Sequence, residues 1–317
     1  MKILIAPLNW GLGHATRCIP LIRQYLSDGN DVVLGGDGDS LLLLRRTFPE
    51  LRVVQLPSLN LRYDADPRQR AFYWRAIPVL LRAAIADRYR LKQLLAIENF
   101  DLVISDNRFG FFSRDARCVY ITHQLYPILP ASLRFFQPFV RRLHAWICKR
   151  YAEVWVPDYA DMKRGLSGEL SHGGRMDQSV KYIGPLSRFS ETIDSQNEVG
   201  EYAVVAVLSG LEPQRSLFEK EIIQRFSASK DSLLLIQGKV GGPQTKIRKG
   251  NITIQSTIND RDLLAVLRGA NKIIARSGYS TIMDLDALGV LPKAELHPTP
   301  GQSEQEYLSK IQQKLYM

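Results

Sequence analysis

The sequence predicts an α/β protein in which two halves, each with a parallel sheet, face a central cleft. Three observations support this prediction. Short apolar runs alternate with amphipathic helical segments, the rhythm of parallel strands joined by right-handed crossovers. A polar, aperiodic stretch at residues 189–200 interrupts that rhythm as a linker would. Each half also has a strand that leads into a glycine-containing turn. We therefore expect one domain at residues 1–188 and another at 201–317.

The length and the start of the chain favour a soluble protein of ordinary size. The 317 residues are enough for two domains that each bury a core. The opening apolar run, residues 2–8, is too short for a signal peptide or a membrane span, so we expect a cytoplasmic protein. Cys18, Cys118 and Cys148 lie far apart without a C-x-x-C pair, which suggests reduced packing residues rather than disulfides or a zinc site.

The positive charge belongs to the first half. Residues 1–188 contain 27 Lys and Arg against 17 Asp and Glu, whereas residues 189–317 contain 15 of each kind. This asymmetry suggests an anionic partner, either nucleic acid or an anionic membrane surface. Nucleic acid is disfavoured, because the basic residues are spread over apolar and aromatic helices and no nucleic-acid motif is present.

Two helical segments of the first half combine basic and aromatic residues. They cover residues 61–95 and 133–151, with Trp74 and Trp146 among many arginines. Such a composition is typical of an interfacial segment at a membrane surface. The alternative is a solvated charged face above a packed apolar one. With two such segments, we expect a protein that is cytoplasmic and peripheral on the inner face of the membrane.

The first glycine turn is the strongest candidate for a functional site. Gly11 and Gly13 follow the strand at residues 2–8, and a helix is predicted from about residue 15 to residue 26. The free N–H groups at the start of that helix favour anions. His14 would lie at the lip of this site, where a base is useful, and Arg17 lies one turn further on. A glycine turn after a first strand is also common in α/β folds without such a function.

Further polar residues follow predicted strands, where open parallel sheets bind ligands. Asp106 follows the strand at 100–105, and His123 follows the strand at 118–122. Either residue could instead cap the next helix. In the second half, Ser209 and Gly210 form another strand-to-helix turn, with Gln214 near its helix start.

Four places in the chain together resemble GT-B glycosyltransferases, which have two Rossmann-like domains. The likeness is greatest to the branch with the peptidoglycan N-acetylglucosaminyltransferase and the plant galactolipid synthases. The four places are Gly11 to Arg17, Gly184-Pro185-Leu186-Ser187-Arg188, Ser209-Gly210 with Gln214, and Arg276-Ser277-Gly278-Tyr279-Ser280-Thr281 to Asp284 followed by residues 298–307.

The resemblance implies a function for each matched residue. Asp284 would bind the ribose hydroxyls of UDP, and Glu304 and Gln305 would reach hydroxyls of the donated sugar. The residues expected to line the remaining nucleotide-sugar site are Arg188, Ser209, Gly210, Gln214, Arg276, Ser277, Gly278 and Thr281. The residues expected on the acceptor side are Gly11, Gly13, Arg17 and His123.

Two features depart from the family pattern. The strand before Pro298 would normally be apolar, yet here it is Lys293-Ala294-Glu295-Leu296-His297, which we expect to disturb a core strand. The sequence also ends at Met317, whereas the family generally continues through a helix that crosses back to the first domain. We therefore expect a second domain without that crossover helix.

The leading hypothesis is inverting transfer of a hexose or N-acetylhexosamine from a UDP-sugar to a hydroxyl of a lipid-linked or cell-envelope acceptor. His14 is the first candidate for the base and Asp106 the second. We expect neither a metal nor another cofactor, since the D-x-D pattern that looks like a metal site, Asp37-Gly38-Asp39, lies in the wrong half for the donor.

Two other functions stay open. The loop from Gly11 to Cys18 is also similar to that of nucleotide-sugar hydrolases of pseudaminic acid synthesis, in which the histidine activates water. A non-catalytic protein that binds a sugar nucleotide or a lipid surface is the second alternative.

Overall fold

The first sheet has seven parallel strands. A computed structural model describes residues 1–59, 70–174, 179–190 and 202–316. The sheet order is β3-β2-β1-β4-β5-β6-β7. The strands are β1 Lys2–Pro7, β2 Asp31–Gly36, β3 Arg52–Gln55, β4 Leu102–Asp106, β5 Arg117–Ile121, β6 Glu153–Val156 and β7 Val180–Tyr182. Residues 3–6 of β1 are fully buried, because helices cover both faces of the sheet.

Helices connect these strands on the two faces of the sheet. They are α1 Gly13–Ser27, α2 Gly38–Thr47, α3 Arg70–Ile97, α4 Gln137–Cys148 and the short α5 Glu169–His172, with a 3-10 helix at Ala131–Phe136 before α4. Helix α1 buries Cys18, Ile19 and Ile22 against β1 and β2. The opposite face of the sheet packs against Leu91 and Leu94 of α3.

The second sheet has six strands in the order β10-β11-β9-β8-β12-β13. The strands are β8 Val204–Val207, β9 Leu233–Ile236, β10 Lys246–Lys249, β11 Ile252–Gln255, β12 Lys272–Arg276 and β13 Ala294–His297. The helices are α6 Gln214–Phe226, α7 Asp260–Gly269, α8 Tyr279–Ala287 and α9 Ser303–Tyr316. All pairs are parallel except β10 with β11, and this antiparallel edge strand is absent from the sequence prediction.

The predicted α/β architecture with two parallel sheets is confirmed. The expectation of a disturbed core strand is wrong, because β13 lies at the edge of its sheet. There Glu295 pairs with Arg225, Lys272 and His297 while Leu296 is buried. Most of the predicted linker, residues 191–200, lies outside the described residues, as do residues 61–69 of the first basic-aromatic segment. The domain boundaries therefore stay a prediction.

Helix α9 makes direct contacts with the first half of the chain. The Glu169 backbone N–H donates to the Tyr307 hydroxyl at 2.8 Å, and Gln312 Nε2 donates to the Leu166 carbonyl at 3.0 Å. Leu166 also packs in the core of the second half together with Leu308. Residues from both sides of the expected boundary thus share one core.

Candidate active site between the two sheets

The two glycine turns lie close together where the two halves of the chain meet, and we call this junction the cleft. Gly11 and Gly210 have φ values of +78° and +97°, which glycine adopts readily, and a Cβ on Gly11 would lie 3.8 Å from Gly210 Cα. The Ser280 hydroxyl donates to the Gly13 carbonyl at 2.8 Å. Because Gly13 begins α1 and Ser280 lies in the first turn of α8, the N-termini of two helices meet here. Their free N–H groups and dipoles favour an anion in the cleft.

His14 and Asp106 form a hydrogen-bonded pair at this point. His14 Nδ1 donates to Asp106 Oδ1 at 2.8 Å when the imidazole is neutral and Nδ1 carries the proton. Among the described residues, none bonds to Nε2, and the His14 side chain is 14% exposed. Burial, aided by the charge of Arg17, lowers the pKa of His14 below its ordinary value, although Asp106 opposes this shift. The pair therefore offers an unprotonated imidazole nitrogen with a fixed orientation.

Asp106 itself is fully buried and ionised. Burial alone would raise its pKa, but the charges and hydrogen bonds of Arg17 and His14 outweigh burial and hold the pKa well below its usual range. Arg17 binds both carboxylate oxygens, with Nε 2.5 Å from Oδ2 and Nη2 on Oδ1. Asp106 thus lies behind His14 as its hydrogen-bond partner and does not face the cleft as an independent base.

Arg17 does not line the cleft. Its side chain is only 1% exposed, because α1 directs it toward the carboxyl end of β4. The expectation that Arg17 belongs to the acceptor-side wall is therefore wrong. His14 and Arg17 are three residues apart on one helix, so the same face brings both to Asp106. That spacing is the sequence signal from which their shared partner could have been inferred.

His123 connects this group to the second half. Arg17 Nη1 donates to His123 Nδ1 at 3.2 Å, so the proton of a neutral His123 lies on Nε2. Nε2 then donates to Glu304 Oε1 at 2.6 Å, and the Gln124 amide donates to Oε2. The His123 ring also stacks on Tyr279, with centroids 4.2 Å apart. His123 is buried beneath the cleft, and both Glu304 oxygens accept hydrogen bonds from the first half.

Asp284 and Arg188 form a second polar group. Asp284 accepts from Ser187 Oγ at 2.7 Å and from Arg188 Nε at 3.2 Å, and Arg188 Nη1 donates to Asp260 at 3.0 Å. Burial raises the pKa of Asp284 despite the nearby Arg188 charge. The two side chains, with Thr281, line a small cavity whose walls are apolar residues of β8, β12, α7 and α8. Three predicted nucleotide contacts, Arg188, Thr281 and Asp284, thus meet at this cavity.

Two other predicted nucleotide contacts are buried in the second half. Arg276 is buried, stacks 3.9 Å from the centroid of the Phe218 ring, and donates to the carbonyls of Pro298 and Gln214. Gln214 is buried as well. The expected contact of these two residues with the nucleotide stays a prediction, which the burial of both disfavours.

The loop residues of the predicted donor site have mixed positions. Ser277 Oγ is buried and donates to the Gln305 carbonyl at 2.8 Å, so it holds α9 rather than facing the cleft. Gln305 Oε1 accepts from the Thr299 N–H at 2.8 Å. Gly278 precedes α8 without a side-chain cap, and Gly210 is exposed beside the half-buried Ser209. The backbone of Ser209, Gly210 and Gly278 thus lies near the point where the two helix ends meet.

A buried ion network supports the first glycine turn. Arg108 binds Asp87 of α3 at 2.6 Å and Asp37 at 3.2 Å, and Asp37 also accepts from Asn9 at 3.2 Å. Asp37 of the D-x-D pattern is thus part of the scaffold. Within the described ranges, no three His, Cys or acidic side chains are grouped as a metal site. The pairing of Arg108 with Asp87 could not be predicted from the sequence, since nothing in their spacing relates them.

The first half carries an exposed apolar face. On α3, Ile77, Leu81, Ile85 and Tyr89 recur every four residues and are all exposed. The exposed residues on and before α4 are Phe135, Phe136, Phe139, Leu143 and Trp146. Arginines flank both groups, and Arg150 stacks on Trp146 at 4.1 Å. Among the residues that the structure describes, every helix falls short of the length or apolarity needed to span a bilayer.

Comparisons with known proteins agree on the fold. No model of a known protein family matches the chain. It is similar to uncharacterized glycosyltransferases of Methanosarcina acetivorans and Methanosarcina mazei, with 24% and 23% identity. Each alignment covers 96% of this chain and 82% of the relative.

Solved structures extend the likeness to nearly the whole chain. The glycotransferase of kitacinnamycin has a TM-score of 0.60 and 17% identity, covering 99% of this chain and 95% of its own. Phytolacca americana UGT2, complexed with UDP-2fluoro-glucose and pterostilbene, has a TM-score of 0.57 and 15% identity, covering 98% and 82%. A putative UDP-N-acetylglucosamine 2-epimerase from Listeria monocytogenes has a TM-score of 0.56 and 13% identity, and the match covers 99% of this chain and 89% of that protein. The fold is thus of the GT-B type, which an epimerase shares.

Proposed function

We propose that this protein is a glycosyltransferase that moves a sugar from a UDP-sugar to an acceptor hydroxyl. The observation that carries the proposal is the His14–Asp106 pair, which offers an unprotonated Nε2 where the two helix N-termini meet. The names of the similar proteins support the same activity. A putative epimerase has a similar fold, so the fold alone does not distinguish a transferase from an epimerase. The His14–Asp106 pair therefore carries more weight than the fold.

In the proposed reaction, His14 Nε2 takes the proton of the acceptor hydroxyl as its oxygen attacks the anomeric carbon. The new carbon–oxygen bond forms as the bond from that carbon to the diphosphate oxygen breaks, so the configuration inverts and UDP leaves. Asp106 stabilises the resulting imidazolium through Nδ1. The N-termini of α1 and α8 would stabilise the departing diphosphate without a metal ion.

The donor is proposed to lie against the second half. Asp284 and Arg188 at the mouth of the small cavity would bind the ribose, because a carboxylate can accept two hydrogen bonds from a cis-diol. Glu304 is 27% exposed at its side chain and retains acceptor sites for a hydroxyl of a hexose or N-acetylhexosamine. The backbone at Ser209, Gly210 and Gly278 would contact the diphosphate.

The acceptor is proposed to be a lipid-linked or cell-envelope molecule at an anionic membrane surface. The exposed apolar residues of α3 and α4 and the adjacent arginines support this part of the proposal. A helix with one apolar and one basic face binds such surfaces through both burial and charge. The protein would then be cytoplasmic and peripheral on the inner face of the membrane.

The decisive experiment measures release of free nucleotide from a panel of UDP-sugars and other nucleotide sugars. We expect release from a UDP-sugar that depends on a lipid acceptor, with inversion at the anomeric carbon by NMR and no loss of activity in EDTA. Release without any acceptor would instead indicate a nucleotide-sugar hydrolase. Binding of UDP without turnover of any donor would indicate a non-catalytic binding protein.

A single variant tests the base. His14→Ala should bind UDP like the unchanged protein in calorimetry and lose turnover by a factor of about 10² to 10⁴, the usual contribution of a general base. His297→Ala, which removes a histidine of the edge strand β13, is the control and should retain turnover. Near-normal turnover of His14→Ala would exclude His14 as the base.

A further inference from the structure

A continuous line of side chains connects the two halves beneath the cleft. It runs from His14 through Asp106, Arg17 and His123 to Glu304, with contacts of 2.8, 2.5, 3.2 and 2.6 Å. We propose that Arg17 is a positioning residue that fixes Asp106 against His14, and that Glu304, docked on His123, balances the positive charge of a protonated His14. This inference rests on the proposed function only in naming His14 as the base.

The geometry makes Arg17 the group that orients Asp106. Its guanidinium reaches both carboxylate oxygens and is almost completely buried, so the carboxylate has one fixed plane. In that plane Oδ1 also accepts from His14 Nδ1. Without its contacts to Arg17, the Asp106 carboxylate could rotate about the Cβ–Cγ bond, and its hydrogen bond to His14 would weaken. Arg17 therefore acts on the reaction through Asp106 and not by touching a substrate.

The negative charge of Glu304 offsets the positive charge that His14 acquires with a proton. Arg17 and Asp106 together are neutral, so a proton added to His14 would leave a buried group with a net positive charge. With Glu304 docked on His123, the same proton yields a neutral group. Glu304 lies on α9 of the second half, so this compensation exists only when the two halves are in contact. Contact between the halves thus strengthens the base at the moment when the cleft is assembled.

Six other titratable groups surround His14. They are Arg17 and Cys18 on α1, Asp106 on β4, His123 after β5, Tyr279 on α8 and Glu304 on α9. Burial raises the pKa of both the Cys18 thiol and the Tyr279 hydroxyl, so these two stay neutral. Burial would also raise the pKa of Glu304, but the charges and hydrogen bonds of His123, with His14 and Arg17, lower it overall. His123 Nδ1 accepts from Arg17 and so carries no proton, which leaves Arg17, Asp106 and Glu304 as the charged members of the group.

NMR titration of the imidazole rings tests the inference without any need for turnover. The chain has five histidines, so the His14 signal can be assigned from its loss in His14→Gln. Arg17→Gln removes the positive charge and should raise the pKa of His14 by about one unit or more, a tenfold change in proton affinity. Arg17→Lys keeps the charge and should return most of that shift.

Glu304→Gln should move the pKa of His14 in the opposite direction, to lower values. The matched control is Glu295→Gln, which removes a carboxylate that also pairs with a histidine, His297, but on the edge strand β13. This control should leave the His14 signal unchanged. Should Arg17→Gln fail to fold, Glu304→Gln alone decides the proposal.

An unchanged His14 pKa in Glu304→Gln would overturn the coupling between the halves, and an unchanged value in a folded Arg17→Gln would overturn the assignment to Arg17. Neither result depends on whether the protein transfers sugars. Where turnover is measurable, the acidic limb of its pH profile should follow the NMR values. A purely structural effect of Arg17→Gln would lower the rate without moving that limb.

Discussion

At the scale of single residues, the cleft is governed by one buried ion pair. Arg17 and Asp106 lie almost entirely out of water, and each satisfies the other's charge. Two isolated buried charges would be very costly, so the pair stands only as long as both members are present. The neutral His14 next to them depends on the same balance. Function and stability are therefore linked at this position.

Asp106→Asn tests this link. The change leaves the Arg17 guanidinium buried without a counter-charge, and removing one member of such a pair typically costs about 3–5 kcal/mol of the free energy of unfolding. Urea unfolding at neutral pH would measure the loss. Asp101→Asn, at an exposed carboxylate that accepts from the Lys2 N–H, is the control and should cost less than about 1 kcal/mol. Equal costs for the two variants would contradict the buried pair.

At the scale of elements, helix α4 has a buried inner face and an exposed outer face. Its inner face buries His144, whose Nδ1 donates to the Leu125 carbonyl at 3.3 Å. Burial lowers the pKa of this imidazole to about 4. Its outer face exposes Phe139 and Trp146. The inner face thus makes stability depend on pH, whereas the outer face is available for a partner.

His144 should make the protein less stable as the pH falls from about 6.5 to about 4. In this window the unfolded chain binds a proton at His144 and the folded chain does not, so protonation favours unfolding. The full effect of a shift of this size is about 3 kcal/mol. His144→Phe removes it, so urea unfolding across this window should show a flatter dependence on pH. Parallel curves for the two proteins would contradict a neutral buried His144.

The outer face of α4 should carry membrane binding. Replacement of Phe139 and Trp146 by Ser removes side chains that are 64% and 53% exposed and should weaken sedimentation with anionic vesicles by on the order of tenfold per residue. Leu315→Ser on α9 replaces an equally exposed apolar residue and serves as the control. If binding to vesicles is absent in the unchanged protein, or equal in all variants, the membrane part of the proposed function fails.

At the scale of the whole molecule, the two halves meet through closely packed helix ends. A Cβ on Gly13 would lie 2.9 Å from Ser280 Oγ and 3.1 Å from Ser280 Cβ. The approach of α1 to α8 therefore requires the absence of a side chain at Gly13. The same approach brings Glu304 to His123, so the site is complete only in this arrangement.

Gly13→Ala should separate the two helix ends and reduce turnover by on the order of tenfold, because small displacements of reacting groups are costly. Adding Ser280→Gly to Gly13→Ala makes room for the new methyl group and should restore part of the turnover. A double variant as impaired as Gly13→Ala would show that the contact with Ser280 is not the cause.

Much of the fold follows from local sequence patterns. The strand that precedes the first glycine turn, and helix α1 at Gly13–Ser27, are predicted from apolar periodicity and turn residues alone. The exposed antiparallel strand β10, with three basic residues, carries too little apolar signal for such a prediction. The polar strand β13 was misjudged because sequence does not tell an edge strand from a central one.

The residues of the candidate site could likewise be predicted only in part from the sequence. His14, Asp106 and His123 were found from the sequence because each follows a strand at its carboxyl end, which is a local pattern. The burial of Arg17 and Arg276 was missed, because a charged side chain in a sequence gives no sign of the partner that allows it to be buried. The contacts of Gln124 with Glu304 and of Ser280 with Gly13 were missed because each joins residues that are far apart in the chain.

The sequence by itself determined the alternation of strands and helices, the glycine turns and the residues that follow each strand, because these depend on neighbours a few positions apart. Only the tertiary structure decided that Asp106 pairs with His14, 92 residues away, and that Glu304 meets His123, 181 residues away. Those contacts depend on the order of strands in the sheets and on the approach of the two halves. A balance of charge across such distances arises only when folding excludes water from all its members at once.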